Sequence, residues 1–73
     1  MTDTATISVM VNGEQRALPG GLNLVGALEA LGYHPRLVVV EFNGEILARS
    51  AWADQLVVET DVLEVVTIVG GGS

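Results

Sequence analysis

The sequence is short and acidic, and it contains neither cysteine nor lysine. Its 73 residues carry a formal net charge of −6, with nine acidic residues against three arginines. This length predicts a single domain, and the lack of cysteine excludes disulfides, thiol nucleophiles and thiolate metal ligands. The acidic balance disfavours nucleic acid and anionic membranes as partners and favours a protein that has a basic surface.

No segment has the pattern of an export signal or of a membrane span. Residues 1–6 include Asp3 and no basic side chain, unlike the first part of a signal peptide. No apolar run approaches the ~20 residues that cross a bilayer. We therefore expect a soluble cytoplasmic protein that is a monomer when free.

The first 20 residues predict a β-hairpin. Apolar and other side chains alternate over residues 7–11, which is typical of a strand with one buried face. Asn12-Gly13 favours a tight turn, because both residues tolerate positive φ. A short return strand over 15–18 is expected to end at Pro19, which cannot donate a ladder hydrogen bond.

A helix is predicted to follow this hairpin. Asn23 is a suitable N-cap, and Leu24, Leu28 and Leu31 recur at the spacing of one helical face. Gly32 is placed to end the helix in a left-handed conformation. The leucines predict that this face packs on a sheet.

Three more strands are predicted in the second half of the chain. They cover residues 37–42, 45–47 and 62–69, and the first two are joined by a second tight turn at Asn43-Gly44. Between the second and third of them, Ser50 is expected to cap a single helical turn. Trp52, in that turn, is either a core residue or an interface anchor.

This order of elements predicts an α+β fold. A mixed sheet of four to five strands would curl around one helix, with the first and last strands adjacent and parallel, as in the β-grasp or ubiquitin-like fold. The domain is predicted to span residues 1–69, followed by a flexible glycine-rich tail over 70–73. The predicted core comprises Ile7, Val9, Val11, Leu24, Leu28, Leu31, Val38, Val40, Phe42, Leu63 and Val65.

The side chains that could carry chemistry form no catalytic or metal-binding pattern. His34 is the only histidine and is expected to be solvated in a loop. The acidic residues Glu59, Asp61 and Glu64 are expected to form a solvated edge. The glycine pairs and triplets do not match a nucleotide-binding loop.

The C-terminal glycines Gly70, Gly71 and Gly72 are the remaining candidate site. They suit either a frayed chain end or an arm that threads into a narrow channel of another protein. Val66 and Ile68 alternate away from the core face of the last strand. With Glu64 nearby, they are predicted to form a docking surface beside the tail.

Several segments resemble the ThiS family, the ubiquitin-like sulfur carrier proteins of thiamin thiazole biosynthesis. They are residues 7–13, residues 38–45, the Arg49-Ser50-x-Trp52 motif and residues 61–72. The chain departs from the family pattern at Ala48, where many members have proline, and at Ser73, which follows the glycines. Because an active carrier ends in glycine, the form that ends at Gly72 is expected to react and the form that retains Ser73 to react poorly.

The resemblance implies a protein cosubstrate rather than an enzyme. A ThiF-like adenylyltransferase of the ubiquitin-activating type would use ATP and magnesium to adenylate the carboxylate of Gly72. A cysteine desulfurase would supply sulfur to make a thiocarboxylate, and a ThiG-like thiazole synthase would accept it. The chain itself would bind no cofactor and no metal.

Two alternatives share the predicted fold. One is a carrier similar to the small subunit of molybdopterin synthase, and the other is a ubiquitin-like protein modifier. Because the sequence contains no lysine, one copy of this protein cannot be attached to a lysine of another copy. A β-grasp ferredoxin is excluded because it needs cysteine ligands. A plain structural domain with a frayed tail remains a further interpretation.

Overall fold

The computed structural model describes residues 5–68 and has one mixed sheet packed against one α-helix. The strands and the helix are β1 (Thr6–Val11), β2 (Glu14–Pro19), α1 (Leu24–Ala30), β3 (Val38–Phe42), β4 (Glu45–Ile46) and β5 (Val62–Thr67). In this part of the chain the sheet has five strands in the order β2-β1-β5-β3-β4. The predicted β-grasp architecture is therefore confirmed.

The last strand, β5, occupies the centre of the sheet. It runs parallel to β1, with Val11 opposite Leu63, and antiparallel to β3, with Val40 opposite Val65. The predicted adjacency of the first and last strands is thus confirmed. The start of β5 is therefore paired on both sides, whereas its end at Thr67, before the glycine segment (Gly70, Gly71 and Gly72), pairs with β3.

The two asparagine–glycine turns form as predicted, and they also bind β5 from opposite sides. Asn12 and Asn43 both adopt φ of 52°. The side chain of Asn12 accepts from Val65 N at 2.7 Å and donates to Val65 O at 3.1 Å. The Asn43 side chain accepts from Val62 N at 2.8 Å and donates to Asp61 Oδ1 at 3.1 Å.

Both ends of the helix α1 are capped as the sequence predicts. Asn23 Oδ1 accepts a hydrogen bond from Gly26 N at 2.8 Å. At the other end Gly32 has φ of +94°, and Tyr33 N donates to Leu28 O at 2.9 Å. This bond, between residues five apart, is typical of a helix that ends in a left-handed glycine.

The core lies between α1 and the inner face of the sheet. Its buried apolar residues are Val9, Val11, Leu18, Leu24, Ala27, Leu28, Val38, Val40, Trp52, Val57, Leu63 and Val65. Ile7, Leu31 and Phe42, which were predicted to be core residues, pack at its margin and are half-buried. Leu18, Ala27 and Val57 were not predicted as core residues. Leu18 and Val57 lie in no long alternating or helical pattern, and Ala27 lies beside the row of leucines on α1.

Several predicted element ends are wrong by one or two residues. A 3₁₀ helix covers Pro35–Leu37, where the proline presets a helical φ, and β3 therefore begins at Val38. β4 ends at Ile46 instead of residue 47. β5 ends at Thr67, and residue 69, the predicted end, lies outside the described residues.

The predicted helical turn around Trp52 is a 3₁₀ helix over Arg49–Asp54. Its N-cap is Ala48, which makes no side-chain capping bond, so the prediction that Ser50 is the cap is wrong. The indole of Trp52 is only 2% exposed, and its Nε1 donates to Leu47 O at 2.9 Å. Trp52 is therefore a core residue, as the first of the two interpretations predicted.

Candidate functional site

The outer face of the sheet, opposite the helix, carries an apolar groove with two acidic residues. We call this groove, of about 420 Å³, the outer patch, and it is lined by Val39, Glu41, Ile46, Glu64 and Val66. Ile46 is 73% exposed and Val66 is 63% exposed. Exposed aliphatic side chains grouped in this way are typical of a surface that meets another protein.

The strand register explains why these side chains come together. Val39 pairs with Val66 across β3 and β5, and two residues along the same strands Glu41 pairs with Glu64. Ile46 of β4 is paired with Glu41 on the other side. The outer patch therefore has an aliphatic row beside a row that contains two directly opposed carboxylates.

The three predicted docking residues lie where the alternation of β5 places them. Glu64 and Val66 are both in the outer patch and are exposed. Ile68, two residues further, is 47% exposed. The exposure of these side chains is confirmed, while their contact with a partner stays a prediction.

The end of β5 is held in place just before the glycine segment. Ile68 N donates to Leu37 O at 2.6 Å, and Thr67 is paired with Val38. The guanidinium of Arg49 donates to Val38 O at 2.9 Å. Thr67 and Ile68 are therefore held to the segment that starts β3. Gly70, Gly71 and Gly72, the predicted site of modification, lie outside the described residues.

Arg49 has a positioning role that the sequence analysis did not recognise. Its guanidinium carbon lies 5.1 Å from the centroid of the Trp52 ring. Side chains three residues apart in a 3₁₀ helix project from the same side. The spacing of Arg49 and Trp52 could therefore have predicted their contact. Together with the bond to Val38 O, this contact ties the second 3₁₀ helix to the start of β3.

The acidic residues near β5 differ in their surroundings. Asp61 is only 9% exposed, and its Oδ2 accepts from Val58 N at 2.8 Å, so the prediction of a solvated edge is wrong for this residue. Glu59 Oε1 accepts from Ser8 N at 2.9 Å. Glu64 and His34 are exposed as predicted.

Two other kinds of feature are absent from residues 5–68. Over residues 5–68, no group of three or more histidine, aspartate or glutamate side chains is placed to hold a metal ion. Within the same range, no helix is both long and apolar enough to cross a bilayer.

Solved structures with the same fold include a crystal structure of the thiamine biosynthesis protein ThiS from Geobacter metallireducens. It superposes with a TM-score of 0.75 at 35% sequence identity, covering 90% of this chain and 100% of that one. An NMR structure of a thiamine biosynthesis protein from the same organism gives a TM-score of 0.73 at 34% identity, covering 92% of this chain and 90% of that one.

Sequence relatives fall into two groups. A thiazole synthase from Paramagnetospirillum magneticum is 37% identical over 67 residues, which are 92% of this chain and 21% of that protein. The chain thus spans about a fifth of the length of the thiazole synthases it matches. The uncharacterised protein ycf40 of Trieres chinensis is 32% identical over 73 residues, with 99% and 100% coverage. The ThiS family model matches residues 9–72, and the chain belongs to the ThiS family.

Proposed function

We propose that this chain is a sulfur carrier whose reactive group is the carboxylate of Gly72. The observation that carries the proposal is the match to the ThiS family, which extends through residue 72 and so includes all three glycines. The described geometry supports it, because β5 is held in the sheet up to Ile68 and ends beside an exposed patch. A docked domain followed by a glycine segment suits a substrate that another enzyme must modify.

The proposed chemistry needs an unhindered terminal carboxylate. A carboxylate oxygen of Gly72 attacks the α-phosphorus of ATP, pyrophosphate leaves, and an acyl-adenylate forms. The terminal sulfur of a cysteine desulfurase persulfide then attacks the acyl carbon and expels AMP. Reductive cleavage of the acyl disulfide by a thiol leaves the thiocarboxylate. The ATP and its magnesium belong to the activating, ThiF-like adenylyltransferase, and this chain serves as cosubstrate.

The length of the glycine segment is compatible with a domain that docks on the enzyme that modifies its terminus. Gly72 is four positions beyond Ile68, which gives about 13 Å when the backbone is extended. That length is sufficient for Gly72 to enter an active site while the outer patch stays in contact with the enzyme surface. Glycine has no Cβ, so a narrow channel can admit this segment. We propose that Glu64, Val66 and Ile68 make part of the contact.

We propose a thiazole synthase as the acceptor of the sulfur. The support is that proteins named thiazole synthase contain a segment similar to 90–92% of this chain. Joining a carrier segment to a synthase in one polypeptide raises the effective concentration of each for the other. No comparable observation favours the molybdopterin or protein-modifier alternatives.

ATP–pyrophosphate exchange catalysed by a ThiF-like adenylyltransferase tests this proposal. A chain whose last residue is Gly72 should support exchange, and a chain that retains Ser73 should support it poorly. A displacement of ~1 Å can slow a reaction ~100-fold, and one extra residue displaces the carboxylate by more. Gly72→Ala in the shorter chain should also slow exchange and leave the melting temperature unchanged.

The outcomes separate the parts of the proposal. Equal exchange from the chains with and without Ser73 would reject the requirement for trimming. An absence of exchange with both chains, when each is folded and the enzyme is active on its own carrier, would reject the carrier function.

A further inference from the structure

We propose that the outer patch binds an arginine side chain of the activating enzyme, held between the carboxylates of Glu41 and Glu64. This inference rests on the proposed function, and it specifies the chemistry of the docking contact. It starts from the register of β3 and β5, which sets these two glutamates directly opposite each other on the exposed face. Like charges in directly opposed positions of neighbouring strands are unfavourable.

These two carboxylates differ from the other acidic groups near β5. Asp61 accepts hydrogen bonds from Val58 N and Asn43 Nδ2, and Glu59 accepts one from Ser8 N, so both serve the fold. Glu41 and Glu64 instead extend into the groove from exposed positions. A cation bound between them would convert an unfavourable pair of charges into a favourable contact.

The walls of the groove favour arginine over lysine as that cation. The aliphatic side chains of Val39, Ile46 and Val66 provide apolar surface on which the methylene stem of an arginine can lie. Its planar, weakly hydrated guanidinium carries five donors and can bind two carboxylates at once. An ammonium group is more strongly hydrated and would lose more solvation in an apolar groove.

Charge also argues against a second copy of this chain as the occupant. The whole chain has a net charge of −6, and two outer patches placed face to face would bring four carboxylates together. A partner with a positive, partly aliphatic surface is complementary in both charge and polarity. The activating enzyme is the proposed partner that must hold this domain while the glycine segment reacts.

Calorimetric titration with a ThiF-like adenylyltransferase tests the inference. The variants are Glu41→Gln, Glu64→Gln and the double variant, and the control is Glu45→Gln, which removes one charge from a β4 position that alternates with Ile46. Each single variant should weaken binding by roughly tenfold or more. The double variant should lose less than the product of the two single effects, because one guanidinium serves both carboxylates. The control should stay within about twofold.

A charge reversal gives a readout from the free domain as well. Glu64→Arg would place a guanidinium opposite Glu41 within the chain itself, so the melting temperature should rise and binding should be lost. Equal affinity of all chains, or an equal loss in the Glu45→Gln control, would overturn the inference and leave the carrier function intact. A failure of the wild-type chain to bind any active adenylyltransferase would instead overturn the proposed function, and the inference with it.

Discussion

Asn43 meets two requirements at once, since it must adopt a positive φ and its side chain must bind β5. Its Oδ1 accepts from Val62 N, and its Nδ2 donates to the buried carboxylate of Asp61. Glycine at this position would keep the backbone conformation and remove both bonds. We therefore expect Asn43→Gly to lower the free energy of unfolding by about 1–3 kcal/mol, measured by urea denaturation.

Thr60→Gly is the matched control for that variant. Thr60 has φ of 72°, which is strained for a β-branched residue by about 1–2 kcal/mol. Both substitutions introduce glycine and so change the entropy of the unfolded chain in the same direction. Thr60→Gly should leave stability equal or higher. If both variants lose the same stability, the side-chain bonds of Asn43 contribute nothing measurable.

At the scale of elements, the helix α1 is stabilised mainly by the packing of its buried face and only weakly by its own backbone hydrogen bonds. It has only seven residues, and Leu24, Ala27 and Leu28 are buried against the sheet. A helix this short is unstable in isolation. The fold therefore depends on the contacts of these three side chains.

Leu28→Ala should lower the free energy of unfolding by about 2–5 kcal/mol, because it removes a fully buried side chain from the middle of this face. The single tryptophan, buried in the same core, allows the transition to be followed by fluorescence. Leu56→Ala makes the same chemical change at a side chain that is 52% exposed. It should change stability by less than about 1 kcal/mol, and equal effects would contradict the described packing.

Gly26 is a second feature of α1 that can be tested. A Cβ at this position would lie 3.4 Å from Asn23 Oδ1 and from Leu22 Cδ2, at the close end of ordinary contact. Close packing on the sheet therefore does not require glycine here. Gly26→Ala should raise the free energy of unfolding by about 0.5–1 kcal/mol in thermal denaturation. A loss of stability would mean that the capping loop cannot accommodate a methyl group.

Local features of the fold were predictable from the sequence, and long-range ones were not. Asn23 begins the helix and Gly32 ends it, and both act through bonds between residues that are close in sequence. Their residue types were therefore enough to predict the two ends of the helix. By contrast, Asn12 bonds to Val65, 53 positions away, and no pattern in the sequence indicates such a pair. Asp61 combines both kinds of bond, since its Oδ2 accepts from the nearby Val58 N and its Oδ1 accepts from Asn43 Nδ2, 18 positions away.

In the candidate site, too, the local features were predictable from the sequence and the long-range ones were not. Alternation along β5 was enough to predict that Glu64 and Val66 are exposed. That Glu41 faces Glu64 follows from the pairing of β3 with β5, which depends on the register of two strands far apart in the chain. Ile46 joins the patch only through the short strand β4.

For the whole molecule, the net charge of −6 should govern the rate at which it meets a basic partner. Salt screens charges over about 10 Å at 0.1 M, so the association rate with a ThiF-like adenylyltransferase should fall as ionic strength rises. Glu64→Lys should slow association further and leave the domain folded. Association rates are measured by stopped flow. If neither salt nor this substitution changes them, the acidic charge contributes to solubility and does not steer association.

The central claim is that Gly72 carries sulfur, and its most direct test is an intact mass measurement. The chain ending at Gly72 is incubated with ATP and magnesium, a ThiF-like adenylyltransferase, a cysteine desulfurase with cysteine, and a thiol reductant. We predict a mass increase equal to the exchange of one oxygen for one sulfur, located by fragmentation at the C-terminal carboxylate. An unchanged mass, under conditions that convert an established ThiS protein, would contradict the claim.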